Sequence, residues 1–212
     1  MTPLLLSVTA LLCYTLGCVD GALIASRFVF HRRVRAAKGT TPGLREYYRS
    51  FGLRGVLLIL GVDAVKTLLA VLLGWLLLNV VEAGNVGKLF GAFCMLLGHT
   101  YPIPRRFRGG TGVFCFCVMA LAFDWRVGMG CVAVYLIALV FSRYVALSSL
   151  IAAGFCPLLI WMTGYETLEG EIAVLIAVLL AVRHAENILR MVNGTEPRLN
   201  LKRTDAYGNR EE

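Results

Sequence analysis

Charge is scarce in this sequence: 16% of its residues are Asp, Glu, Lys or Arg, while 58% are hydrophobic and the mean hydropathy is +0.73. So small a supply does not cover the surface of an ordinary soluble domain of 212 residues, and the bilayer is the expected solvent. Basic residues are missing ahead of the first apolar stretch, and no small-residue cleavage site follows it, so a retained membrane helix is expected in place of a signal peptide. A CxxC pair is missing too. All seven cysteines lie in or beside apolar runs, which argues against a zinc site or a disulfide framework and for structural thiols. Acids are outnumbered, 13 against 21 Lys and Arg, for a formal net charge of +8. That positive charge sits in short segments between apolar stretches, where it signals topology and anion binding; no nucleic-acid partner is expected. No internal repeat, low-complexity tract or separate soluble domain is visible.

Residues 3–28, 56–81 and 172–182 carry long aliphatic runs and read as membrane spans. Between them lie residues 86–97, 113–123, 127–141 and 145–162, several of which fall short of the ~20 residues that cross a hydrocarbon core of about 30 Å. These must extend into their flanks, tilt, or sit in thinned bilayer. Loop charge tests the count independently. Residues 31–55 hold Arg32, Arg33, Arg35, Lys38, Arg45, Arg49 and Arg54 against the acid Glu46; residues 101–110 hold Arg105, Arg106 and Arg108; Arg143 marks a further turn. By contrast, residues 163–171 carry Glu166, Glu169 and Glu171 with no cation, and the turn at 82–87 is nearly neutral. The positive-inside rule is met by an all-α integral membrane protein of seven transmembrane helices with its N-terminus outside and its C-terminus cytoplasmic. On that reading residues 1–199 form the membrane domain and residues 200–212 a loosely ordered polar tail.

Three polar constellations interrupt the apolar runs. Gly98-His99-Thr100-Tyr101-Pro102 leads into Arg105-Arg106-Phe107-Arg108-Gly109-Gly110-Thr111-Gly112, which couples a titratable ring to three arginines and a run of glycines. Glycines let backbone N–H groups approach an oxyanion and arginine forks match phosphate oxygens, although a positive-inside loop has the same composition. In Arg183-His184-Ala185-Glu186-Asn187-Ile188-Leu189-Arg190, helical spacing puts Arg183, Asn187 and Arg190 on one stripe, suited to a polyol phosphate or to snorkelling toward headgroups. Asp63 and Lys66 stand one turn apart inside the second span, where an ion pair facing the bundle is the economical arrangement. Asp20 in the first span is expected to find Arg27 or a loop arginine.

The segment Arg183-His184-x-x-Asn187-Ile188-x-Arg190 with Asn193-Gly194-Thr195-Glu196-Pro197 resembles the last motif of the PlsY-type glycerol-3-phosphate acyltransferases. Gly98-His99-x-Tyr101-Pro102 through Gly112 resembles that family's second motif. Arg143-Tyr144-Val145 through Ser149 is similar to the start of its sixth span, and Asp63-x-x-Lys66 also fits. The resemblance implies transfer of a fatty acyl group from acyl phosphate to the 1-hydroxyl of glycerol 3-phosphate, giving lysophosphatidic acid for phospholipid synthesis in a bacterial cell membrane. It implies no metal or organic cofactor; the partners are the two substrates and membrane lipids, with the oligomeric state left open. His99, His184 and Asn187 become the catalytic candidates. Arg49, Arg106, Arg108, Gly109, Gly110, Ser149 and Arg190 become the substrate-binding ones. A histidine beside two phosphates serves proton transfer or hydrogen-bond donation, and His184 is read as binding. Arg49, His99, Arg108 and Asn187 are expected to converge beside an apolar groove.

The pattern also departs from the family's. Its GGKG reads Gly109-Gly110-Thr111-Gly112, and its GSIP reads Gly17-Cys18-Val19-Asp20. The following glycine-and-asparagine motif reads Lys38 to Arg49, with only Gly43 and Arg49 in register and Glu46 adding a negative charge. A second reading therefore stays open: a non-catalytic relative that binds acyl phosphate or phospholipid headgroups.

Overall fold

Runs of leucine, valine and alanine form helix readily, and in an apolar solvent helix is what satisfies every backbone group within one segment. The computed structural model describes residues 1–31 and 44–199. Among these there is no strand. The helices are α1 (Thr2–Gly17), α2 (Gly21–Ile24, continued by a π turn over Ala25–Val29), α3 (Leu44–Asn79), α4 (Gly84–Thr100), α5 (Val113–Phe123), α6 (Trp125–Ser142), α7 (Val145–Met162), α8 (Thr167–Arg183) and α9 (Ala185–Val192). Expectations resting on residues 32–43, including Arg32, Arg33, Arg35, Lys38 and Gly43, and on the tail 200–212 lie outside the described residues.

Among the described residues three helices are long and apolar enough to cross a membrane, and up to five if each of two bent pairs is one span. The bent pairs are α1 with α2, at 40°, and α8 with α9, at 59°. The short expected spans gain at their flanks as predicted: 86–97 becomes Gly84–Thr100 and 127–141 becomes Trp125–Ser142. The span 113–123 gains nothing, and α5 is about 16 Å long at 1.5 Å per residue.

Helix α4 is the centre of the bundle, packed against α3, α1, α8 and α5. Glycines let it approach that closely: a Cβ on Gly74 or Gly87 would overlap the other's carbonyl, and one on Gly98 would overlap the Tyr14 carbonyl of α1. Backbone-to-backbone crossings of this kind give van der Waals packing where lipid supplies no hydrophobic drive between helices. Leu89, Met95 and Leu96 of α4, Met119 of α5, Ile160 of α7 and Ile176 and Leu180 of α8 are fully buried around it. Outward faces carry the opposite of a soluble pattern. Leu57, Leu68, Leu72 and Leu76 of α3 and Val140 and Phe141 of α6 are exposed, forming the apolar belt of a protein solvated by lipid.

Candidate active site

The first span unwinds at residues 18–20, and the freed groups are met by side chains from other helices. Asp20 caps α2, its Oδ1 accepting from Ala22 N at 2.9 Å, and its Oδ2 pairs with Arg105, a loop arginine, where the sequence allowed Arg27 or a loop arginine. Lys66 Nζ donates to the Val19 carbonyl at 2.9 Å. That ammonium also lies 2.7 Å from Asp63 Oδ1, the expected pair one turn apart, and 2.8 Å from His99 Nδ1. An ammonium only donates, so His99 Nδ1 accepts and the neutral ring keeps its proton on Nε2. Asp63, His99 and Cys115 bring an oxygen, a nitrogen and a sulfur within 4.8 Å of one another, a donor set of the kind that takes a divalent ion. Lys66, bonded to the first two, already supplies the positive charge there.

The glycine loop closes over this cluster. Gly109 N donates to the Thr100 carbonyl and Gly110 N to the His99 carbonyl, each at 3.1 Å. A Cβ on Gly110 would overlap His99 Nε2, so the glycine is what admits the ring edge. These two N–H groups, read from the sequence as oxyanion donors, are donated internally, because the last carbonyls of α4 have no partner within their own helix. The two glycine carbonyls are taken as well: Arg183 Nη2 reaches Gly109 O at 2.7 Å and Arg183 Nε reaches Gly110 O at 3.0 Å.

The expected stripe of Arg183, Asn187 and Arg190 is not continuous. The bend at His184 turns Arg183 to the glycine loop and sends Asn187 and Arg190 to a different partner. His184 is buried, with Nδ1 at 2.8 Å from the Leu180 carbonyl. A carbonyl only accepts, so this Nδ1 carries a proton, whereas Nδ1 of His99 accepts. Asn187 Nδ2 donates to Glu196 Oε1 at 2.8 Å and Arg190 Nε to Glu196 Oε2 at 2.7 Å. Partial burial opposes the charged form of Glu196, but the bonds from Asn187 and Arg190 outweigh it and hold the carboxyl below its ordinary value. Glu196 stands in the motif quoted from the sequence, yet nothing in its spacing marked it as the holder of both residues.

The other expected residues lie apart from these networks. Ser149 Oγ donates to the Val145 carbonyl of its own helix at 2.8 Å and is buried. Arg49, before a break in α3 at Gly52 (φ 64°), is exposed, as are Arg106 and Arg108. No hydrogen bond or ion pair among the described residues joins Arg49 or Arg108 to His99 or Asn187. The turn at Arg143 and Tyr144 binds the segment after α9: Leu199 N donates to Arg143 O at 2.7 Å and Arg198 Nε to Tyr144 OH at 3.0 Å.

A profile of the family described as Glycerol-3-phosphate acyltransferase matches residues 7–194. A glycerol-3-phosphate acyltransferase of Ralstonia pickettii (strain 12J) is 33% identical over 208 residues, 97% of this chain and 100% of that protein. One of Ralstonia nicotianae is 34% identical over 197 residues, 92% of this chain and 95% of its own. Among solved structures, PlsY (YgiH), an integral membrane glycerol 3-phosphate acyltransferase, is similar in its glycerol 3-phosphate form. The TM-score is 0.75 at 25% identity, covering 92% of this chain and 96% of that one. Its lysophosphatidic acid form gives the same TM-score over 91% and 94%.

Proposed function

We propose that this chain, which belongs to the glycerol-3-phosphate acyltransferase family, transfers a fatty acyl group from acyl phosphate to the 1-hydroxyl of glycerol 3-phosphate in a bacterial cell membrane. The observation that carries this reading is the match over nearly the whole length of relatives of that name, with the His99 and Asn187 motifs retained. In the reaction the hydroxyl oxygen bonds to the acyl carbon, the carbon–oxygen bond to phosphate breaks, and the hydroxyl proton ends on the phosphate product. The donor is an activated mixed anhydride, so holding the reactants in line and balancing phosphate charge supplies much of the acceleration.

The two histidines then differ in role. His184 offers the lone pair of Nε2 to the acceptor hydroxyl, while His99 offers the Nε2 proton. Asn187 orients the acceptor, with Arg190 beside it as a phosphate contact, and exposed Arg49, Arg106 and Arg108 gather anionic substrate toward the site. Ser149 has its hydroxyl turned to its own helix and adds no contact until it rotates. Seven crossings with the N-terminus outside place all these groups at the cytoplasmic face.

Purified protein in lipid is to be given radiolabelled acyl phosphate and glycerol 3-phosphate, with His184→Ala and Asn187→Ala beside it. Labelled lysophosphatidic acid from the parent, reduced at least a hundredfold in each variant, supports the reading at roughly 3 kcal/mol of lost transition-state binding. Donor bound without product would transfer the chain to the non-catalytic reading.

A further inference from the structure

The acids around the glycine loop are already matched. Asp20 is taken by Arg105 and Asp63 by Lys66, while Glu196 holds Arg190 and Asn187 beyond the bend. Arg183 has no carboxylate among the described residues. It is partly buried at the end of α8, and among the described residues its bonds are to the carbonyls of Gly109 and Gly110. Carbonyl dipoles solvate a guanidinium without neutralising it, and a cation drawn partly out of water in that condition is stabilised by an arriving anion. The two bonds use Nε and one hydrogen of Nη2, so the remaining N–H groups are unspent and their plane is fixed. Thr111, next along the loop, is exposed and offers a hydroxyl where the family pattern has a lysine.

We infer that Arg183 is an anion contact of the site, its unspent N–H groups receiving the phosphate of glycerol 3-phosphate or of acyl phosphate and standing in for the cation absent at position 111. The inference rests on the proposed acyl transfer. Arg183 then has two tasks on one side chain: it fixes the loop by the carbonyls and meets substrate with what remains.

The experiment measures KM for each substrate, kcat and melting temperature for the parent, Arg183→Gln, and Arg183→Gln combined with Thr111→Lys. Arg183→Gln is expected to raise one of the two KM values roughly tenfold or more with kcat changed less than about threefold, and lysine at 111 to reverse most of that rise. The KM that moves tells which phosphate is held. A fall in kcat or melting temperature with both KM values unchanged, or a raised KM that lysine at 111 leaves raised, makes Arg183 a loop brace and overturns the inference. Should Arg183→Gln fail to fold, Arg183→Lys decides: a rise in one KM with the other within about threefold of the parent supports the contact, and a lower melting temperature with both KM values unchanged opposes it. No turnover by the parent removes both this inference and the reaction it rests on; turnover with either opposing pattern removes only this inference.

Discussion

Glu196 shows how a residue outside the expected site sets the two inside it. Its carboxylate takes Asn187 with one oxygen and Arg190 with the other, so both side chains at the base of α9 have one geometry in place of several rotamers. Because the folded carboxyl sits below its ordinary value of 4.5, its contribution is complete above that value and is lost as pH falls through the folded one. Glu196→Gln keeps the shape and removes the charge. It is expected to lower acyl transfer roughly tenfold to a hundredfold, the worth of a charge-assisted hydrogen bond. Activity measured against pH should then lose the part of its acid limb that Glu196 supplies, while an unchanged profile and rate would show that Asn187 and Arg190 hold themselves. The same scale shows what a sequence can carry. Asp63 and Lys66 are one helical turn apart, and their pairing is legible from spacing. The third member, His99, lies 33 residues further on, and only packing of α4 on α3 brings it to the ammonium.

Elements were legible from apolar runs, because the hydrocarbon solvent leaves helix as the satisfied state. Breaks were legible less evenly. The one at residues 18–20 has a signal, since Asp20 is a helix-capping residue at membrane depth. The bend at His184 has none: Arg183, His184 and Ala185 are ordinary helix residues, and the two sides of it find different partners, Gly109 and Gly110 for Arg183 and Glu196 for Asn187 and Arg190. That is why a continuous stripe was expected and two separate networks are found. Helix crossings follow the same rule. Nothing in the composition says which glycines are in a crossing, but Gly98 against the Tyr14 carbonyl and Gly74 against Gly87 leave no room for a side chain. Gly98→Leu must push α1 from α4 at the helix end that carries His99, and overpacking of this kind costs about 1–3 kcal/mol. Detergent unfolding should show that loss together with reduced activity, whereas Gly61→Leu, with open space around its Cβ, should change neither; equal effects of the two would mean that the α1–α4 crossing is not close-packed.

At the scale of the molecule, contacts sort the turns into two groups, and that sorting bears on the proposed topology. Arg183 bonded to Gly109 and Gly110, and Leu199 bonded to Arg143, gather the basic turns and the segment after α9 together. At the other helix ends, Tyr165 OH donates to Asp124 Oδ2 at 3.1 Å, joining the turns on either side of the α6–α7 pair. Positive charge thus collects with the candidate catalytic groups, and the acid-rich segment after α7 collects elsewhere, as the positive-inside rule requires of a cytoplasmic site. Reporter fusions test this directly. A fluorescent protein that folds only in the cytoplasm is expected to light when fused after Leu199 and to stay dark after Gly164, with an exported alkaline phosphatase giving the reverse pattern. Phosphatase activity at the chain end would place Arg183, His184 and Asn187 outside, away from intracellular acyl phosphate, and the proposed reaction would then lack its donor. The short α5 puts the count of seven crossings under strain, since 11 helical residues do not span a relaxed bilayer. Its two ends are nonetheless tied to opposite groups, Gly112 following the glycine loop and Phe123 lying 4.7 Å from the ring of Tyr165. A crossing so short requires thinned bilayer or protein contact along its length, and its buried Cys115, Phe116, Met119 and Ala120 supply the latter.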